Sequence, residues 1–232
     1  MNFDWNPNTV RWYQDANEYS FFFKNIAGLI APGLEGYSTL CDIGCGLGLI
    51  DLELSKSIKC ITCIDINRVA IEALKKSVED RKITNIKPRV MDCNDIAESW
   101  DVIYISFFGS HGLEKFLPHC KKLIAVVSKN NQAELYPEKY RVFQKNTAEE
   151  VEQELIHKGI PYFLTEVSFE FGQPLLSIED AKNFVMTHSP EISLEDLASF
   201  LSQRLIKTGE KQYPFYIPRM KSIGIFEIEG KL

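Results

Sequence analysis

The residues best suited to do chemistry lie in one short run, Asp42-Ile43-Gly44-Cys45-Gly46-Leu47-Gly48, between an apolar stretch and a segment with helical spacing. Glycines at alternate positions let a backbone bend sharply and approach a ligand closely. A dinucleotide site would need Gly-x-Gly-x-x-Gly to seat its pyrophosphate. Counted from Gly44 the sixth residue is Leu49, and counted from Gly46 it is Asp51, so that pattern fails. A Gly-x-Gly-x-Gly loop behind an acidic residue suits a ligand without a pyrophosphate. Asp65 ends the next apolar run, at the spacing of about 20 residues from which a carboxylate accepts ribose hydroxyls. Asp92 ends a third strand candidate.

These residues need elements to hold them. Ser38 to Ile43 reads as a buried strand running into the glycine turn, and LIDLELSKS then resumes helical spacing. KCITCIDI (59–66) is a second strand, NRVAIEALKKSVEDR (67–81) an amphipathic helix and IKPRVMDC (86–93) a third strand. WDVIYISFF (100–108) is a fourth strand, followed by the helical HGLEKFLPHCKK and a fifth strand, LIAVVS (123–128). Alternation of strand and helix over 38–128 predicts a mostly parallel sheet with helices on both faces, and such sheets bind ligands at the carboxyl ends of their strands.

The flanks follow the same logic. Residues 16–30 have a broad apolar face and stop before Pro32-Gly33, which predicts one helix ahead of the first strand. TAEEVEQELIHKGI (147–160) is a helix with Thr147 as its N-cap and Gly159 near its end. Residues 161–172 and 221–229 alternate as strands, and between them SIEDAKNFVMTH and SLEDLASFLSQRL are helices capped by Ser177 and Ser193. The expected organisation is a single domain over 1–232. It comprises an N-terminal helical cover (1–37), a ligand-binding core (38–172), a helical cap (173–216) inserted between the last two strands, and the final strand (217–232). From the cap, Phe184, Tyr213, Phe215 and Tyr216 are candidates for the apolar wall of a pocket, alongside Phe107 and Phe108.

The run LCDIGCGLGLIDLELS, then CIDIN, VMDCNDI and WDVIYISF, resembles the successive motifs of the Rossmann-like S-adenosylmethionine-dependent methyltransferases. The resemblance is specific over 39–128 and extends beyond in element order. It implies an α/β fold with a mostly parallel seven-stranded sheet, and S-adenosylmethionine as cofactor with S-adenosylhomocysteine as product. By that resemblance Gly44, Cys45 and Gly46 would contact the methionine part, with Asp42 and Gly48 also binding the cofactor, and Asp65 would hold the ribose. Asp92 would meet the exocyclic amine of adenine, and Cys93 would offer its backbone amide to the ring, with Ile66 and Met91 beside it. Ser106 and Phe107 would face the reactive methyl. The N-terminal helix, with Trp12, Tyr13 and Tyr19, would cover the cofactor, Tyr13 making contact.

Methyl transfer from a sulfonium is an in-line displacement that asks the protein to position a nucleophile, exclude water and take up a proton where the acceptor carries one. His111, just beyond the fourth strand, is the candidate base, since a histidine titrates near neutrality. No metal is expected: the fourth strand ends in Ser-Phe-Phe, and Asn130-Asn131 alone does not make a site. The Asp/Asn-Pro-Pro-Tyr element of enzymes that methylate nucleobase amines is replaced by Ser106-Phe107-Phe108-Gly109. The expected acceptor is therefore a small molecule. An RNA or protein methyltransferase, or a non-catalytic cofactor-binding subunit, is the alternative.

Composition agrees. The 232 residues are 45% hydrophobic and 25% charged, the balance of an ordinary globular protein. A net charge of −6, with both signs mixed along the chain, makes nucleic acid an unlikely partner. The apolar stretches are too short to span a bilayer, and the N-terminus has no basic start followed by an apolar run, so a cytoplasmic location is expected. There the six cysteines are expected to be reduced. Cys60 and Cys63, three apart on a strand, point to opposite faces, which argues against a shared metal.

Overall fold

The apolar runs become strands at almost the expected positions in the computed structural model, which describes residues 3–107, 112–129, 134–140 and 146–232. Strands β1 (Thr39–Ile43), β2 (Cys60–Asp65), β3 (Ile86–Val90), β4 (Trp100–Ser106) and β5 (Cys120–Ser128) pair in parallel in the order β3-β2-β1-β4-β5. Strand β6 (Tyr162–Glu170) and strand β10 (Met220–Glu229) complete a seven-stranded sheet, β10 lying antiparallel between β5 and β6. The central strands are apolar on both faces, as a sheet covered on both sides requires: Leu40, Cys41, Ile43, Val102 and Ile103 are all fully buried.

Helix α3 (Leu49–Leu54) leaves the glycine turn, and α4 (Arg68–Asp80) begins at Asn67, whose side chain accepts the N–H groups of Val69 and Ala70. Helix α5 (Ala148–His157) starts at the expected Thr147, in a reciprocal capping box with Glu150.

The N-terminal helix departs from expectation. It is two helices, α1 (Pro7–Ser20) and α2 (Phe22–Ile30), broken at Phe21, whose φ of 55° is left-handed. The Asn17 side chain stabilises the break by accepting the Phe23 N–H at 3.0 Å. The break gives each helix its own partner. Helix α2 buries Phe22, Phe23 and Ile26 against the sheet, whereas α1 buries Trp12 against the late insertion. The segment after β4 also differs, forming a 3-10 helix over Leu113–His119 with Pro118 inside it, a residue that removes one backbone donor.

The insertion contains the two expected helices, α6 (Ile178–His188) capped by Ser177 and α7 (Leu194–Arg204) capped by Ser193. It also contains short strands β7 (Gln173–Leu175), β8 (Ile206–Lys207) and β9 (Phe215–Ile217), which form a separate antiparallel sheet in the order β7-β9-β8. Its place follows from register. Met220 pairs with Glu170, and Ile223 pairs with Ser128 at the end of β5. The insertion therefore leaves and rejoins the main sheet at the carboxyl edge of the parallel strands.

Candidate functional site

At that edge the turn after β1 carries Gly44, Gly46 and Gly48 with φ of 71°, 54° and 61°, a left-handed sequence that residues with a Cβ adopt only under strain. The Gly44 and Cys45 N–H groups donate to the Ile64 carbonyl at 2.8 and 3.0 Å, pinning the turn to the end of β2. The Asp65 carboxylate completes the clamp by accepting the Gly46 N–H at 2.9 Å and the Asn67 N–H at 2.8 Å. One half-buried acid is thus held between the turn and the start of α4.

Behind the turn, Asp42 and Asp51 are both buried beside one another, and among the described residues no N–H or hydroxyl group donates to any of their four carboxyl oxygens. Burial pushes the Asp42 carboxyl well above its ordinary range, and the neighbouring Asp51 adds to the shift. Burial likewise raises Asp51, to about 7. Two buried carboxyls without a cation are costly and hold on to protons. Orphaned oxygens on Asp42, directly ahead of a turn of bare glycines, fit the ammonium-bearing methionine end of S-adenosylmethionine. Asp51 went unassigned in the sequence reading; its signal was a carboxylate among the apolar residues of LIDLELS.

On the other side of Asp65, Ile66 is 47% exposed, and Met91 donates its N–H to the Asp65 carbonyl at 3.0 Å. Because β3 stops at Val90, Asp92 is not a strand end. It caps a 3-10 turn over Cys93–Asp95, accepting the Asn94 N–H at 2.8 Å. Met91 and Cys93 are half-buried beside it. Strand β4 ends at Ser106, and Phe107 follows with a left-handed φ of 56°, its N–H donating to the Val126 carbonyl at 2.9 Å. His111 and Phe108 lie outside the described residues, as do Gly109, Asn130 and Asn131.

Tyr13 is brought to the site and Trp12 is not. The Trp5 ring lies 3.2 Å from where a Cβ on Gly46 would stand, and the Tyr13 ring meets Trp5 edge-on at 5.5 Å. From there aromatic contact continues through Phe171 (5.6 Å from Tyr13) and Phe22 (stacked on Phe171 at 4.3 Å) to Phe107 (6.1 Å from Phe22). Trp12 instead packs edge-on against Phe184 at 5.3 Å and donates its indole N–H to Asp180 at 2.9 Å.

The aromatic residues expected to wall a pocket from the cap have another task. Tyr216 packs on Tyr19 at 4.7 Å and donates its hydroxyl to Glu170, and Tyr213 donates to Asp15. With Phe184 on Trp12 and Phe215 against the same cluster, they fasten the insertion to α1. From the glycine turn the aromatic wall runs instead through Trp5, Tyr13, Phe171 and Phe22 to Phe107. Trp5 and Phe171 were not foreseen, because their place depends on long-range packing of the N-terminus and β6. Among the described residues no three His, Cys, Asp or Glu side chains group as metal ligands do, and no helix is long and apolar enough to cross a membrane.

A family model described as a methyltransferase domain matches residues 40–130, the stretch holding the turn, Asp65, Asp92 and Phe107. No curated protein matches the sequence. Among solved structures, the chain is similar to an S-adenosylmethionine-dependent methyltransferase from Aquifex aeolicus, at 16% identity over 97% of this chain and 100% of that one, with a TM-score of 0.57. It is similar to the YcgJ protein from Bacillus subtilis at 12% identity, covering 90% of this chain and 99% of that one, with a TM-score of 0.54. It is also similar to the [4+2]-cyclase SpnF at 14% identity, covering 89% and 80%, with a TM-score of 0.57. Identities this low speak to a shared fold.

Proposed function

We propose that this chain, whose residues 40–130 match a methyltransferase domain model and whose fold is Rossmann-like, binds S-adenosylmethionine and transfers its methyl group to a small molecule held at the carboxyl edge of the sheet. The observation that carries this reading is the line of contact from Gly46 through Trp5, Tyr13, Phe171 and Phe22 to Phe107. It joins the cofactor turn to an apolar wall of the kind that encloses small ligands, next to where the insertion leaves the sheet. The overall negative charge supports a small acceptor over nucleic acid.

The cofactor supplies a methyl group already activated by its sulfonium; the chain's own residues have the remaining work. Asp42, Gly44, Cys45, Gly46 and Gly48 hold the methionine end, and Asp65 accepts from the ribose. Asp92 and the Cys93 amide address the adenine, with Ile66 and Met91 beside it. Ser106 and Phe107 face the transferred methyl, and Tyr13 and Phe107 keep water out. Where the acceptor carries a proton, His111 takes it.

The test is incubation of the purified protein with methyl-labelled cofactor and, in parallel, a small-metabolite extract, total RNA and total protein, with mass spectrometry of each fraction. Label in the small-molecule fraction is the expected result; label in RNA or protein alone would overturn it. Cofactor binding without label anywhere would indicate a non-transferring role, for which the fold leaves room, since a [4+2]-cyclase has it too.

A further inference from the structure

We infer that Asp51 is a positioning residue for the cofactor: it holds a proton in common with Asp42, and that proton passes to solvent when the ammonium of S-adenosylmethionine or S-adenosylhomocysteine settles on the glycine turn. This inference rests on the methyltransferase reading of the same site.

Position comes first. Asp42 is the second-last residue of β1, ahead of the turn, and Asp51 is the third residue of α3, beyond it. The chain turns back between them, and the two carboxyls lie beside one another, their residues 1% and 0% exposed. Among the described residues no N–H or hydroxyl donates to either. A proton carried by one of the two is then the hydrogen that the pair can share, since an ionised carboxylate only accepts and a protonated one also donates.

The surroundings supply no compensating charge. The titratable groups within electrostatic reach of the pair are Cys41 on β1, Cys45 in the turn, Cys63 and Asp65 on β2, Tyr104 on β4 and Tyr13 on α1. Burial pushes the thiols and phenols up, which keeps them neutral, and Asp65 adds a further carboxylate. The cations that reach this cluster, Arg89 and Arg219, act on Cys41 and Tyr13. Helices α2 and α4 bury only apolar side chains. Two carboxyls side by side in such a place cannot both ionise, and the proton they keep belongs to the pair.

An ammonium at the turn brings the charge the pair lacks. One proton leaves the pair for the buffer, the pair becomes an anion, and its attraction to the ammonium helps to hold the ligand. Asp51 has no exposed surface and touches no ligand; it acts through Asp42, by setting when that carboxyl ionises. An asparagine in its place would offer Asp42 an N–H to accept, and Asp42 would then ionise before the ligand arrives.

The experiment is calorimetric titration of S-adenosylhomocysteine, whose ammonium keeps its proton over this range, into the full-length protein at pH 6 and 7. Each titration is run in two buffers of different ionisation enthalpy, which counts the protons released. The wild type should release about 0.5–1 proton per ligand and bind about threefold to tenfold more tightly at pH 7 than at pH 6. Asp51→Asn should release about none, bind equally at both pH values and stay within about threefold of the wild type at pH 7. No proton release by the wild type, equal release by Asp51→Asn, or a folded Asp51→Asn that does not bind would overturn the inference. Should Asp51→Asn fold poorly, the wild-type proton count decides alone. Failure of the wild type to bind S-adenosylhomocysteine would instead overturn the methyltransferase reading beneath it.

Discussion

The backbone N–H of Gly46 donates to the Asp65 carboxylate at 2.9 Å, across 19 positions of sequence. The turn after β1 and the acid at the end of β2 are therefore one device: the carboxylate proposed to meet a ribose also sets the shape of the loop proposed to meet the methionine. A change in either residue reaches the whole site.

Gly46→Val should abolish cofactor binding without unfolding the chain. The residue has a φ of 54°, which a β-branched side chain adopts only at a cost, and its Cβ would stand 3.2 Å from the Trp5 ring. Gly48→Ala makes the contrasting case, because its Cβ would meet Leu74 at 2.5 Å, inside the core. That variant should lose about 1–3 kcal/mol of stability through overpacking. Calorimetry with S-adenosylhomocysteine and thermal melts of both variants check this; normal binding by Gly46→Val would contradict it.

Asp51→Asn should change how stability depends on pH. Burial beside Asp42 pushes the folded Asp51 carboxyl up to about 7, from 3.8 for an ordinary aspartate, so the folded state retains a proton that the unfolded chain releases. Linkage then requires stability to fall as pH rises from about 4 through the folded pKa. Asparagine cannot ionise, and the variant should lose much of that slope, gaining on the wild type as pH rises. Urea denaturation at several pH values between 4 and 8 measures it; parallel slopes in the two proteins would show that Asp51 carries no such proton.

Asp180→Ala should loosen the N-terminal helix from the insertion. The Asp180 carboxylate accepts from Arg11 at 2.5 Å, from the Trp12 indole at 2.9 Å and from the Leu176 N–H at 3.0 Å. Its removal leaves the buried Trp12 indole N–H unsatisfied and frees the partly exposed Arg11, a loss of about 1–3 kcal/mol. Hydrogen exchange should quicken over 7–20 and 173–217 and stay unchanged in β1 to β5. Uniform quickening across the chain, or none in α1, would contradict this division of the packing.

The sequence made the fold legible wherever the signal is local. Strands β1, β2, β4 and β5 announce themselves as apolar runs, and Thr147, Ser177 and Ser193 mark helix starts because a cap bonds within its own turn. The break at Phe21 gave no signal, since Phe21, Phe22 and Phe23 continue an apolar pattern, and only the different partners of α1 and α2 explain it. Nor did β7 and β9, whose pairing of Gln173 with Ile217 joins runs of three residues, too short to show a period. The site divides in the same way. The glycine turn and Asp65 follow from spacing, whereas Trp5 and Phe171 reach it only through the packing of the N-terminus and of the chain just after β6.

The most direct test of the central claim is calorimetric titration of S-adenosylmethionine and S-adenosylhomocysteine into the wild type and Asp65→Ala, with NADH as a control. Both cofactor forms are expected to bind the wild type and NADH is not. Asp65→Ala should bind about tenfold to a hundredfold more weakly, the loss of hydrogen bonds to a charged group. Unchanged affinity in Asp65→Ala, or preferential binding of NADH by the wild type, would contradict the site described.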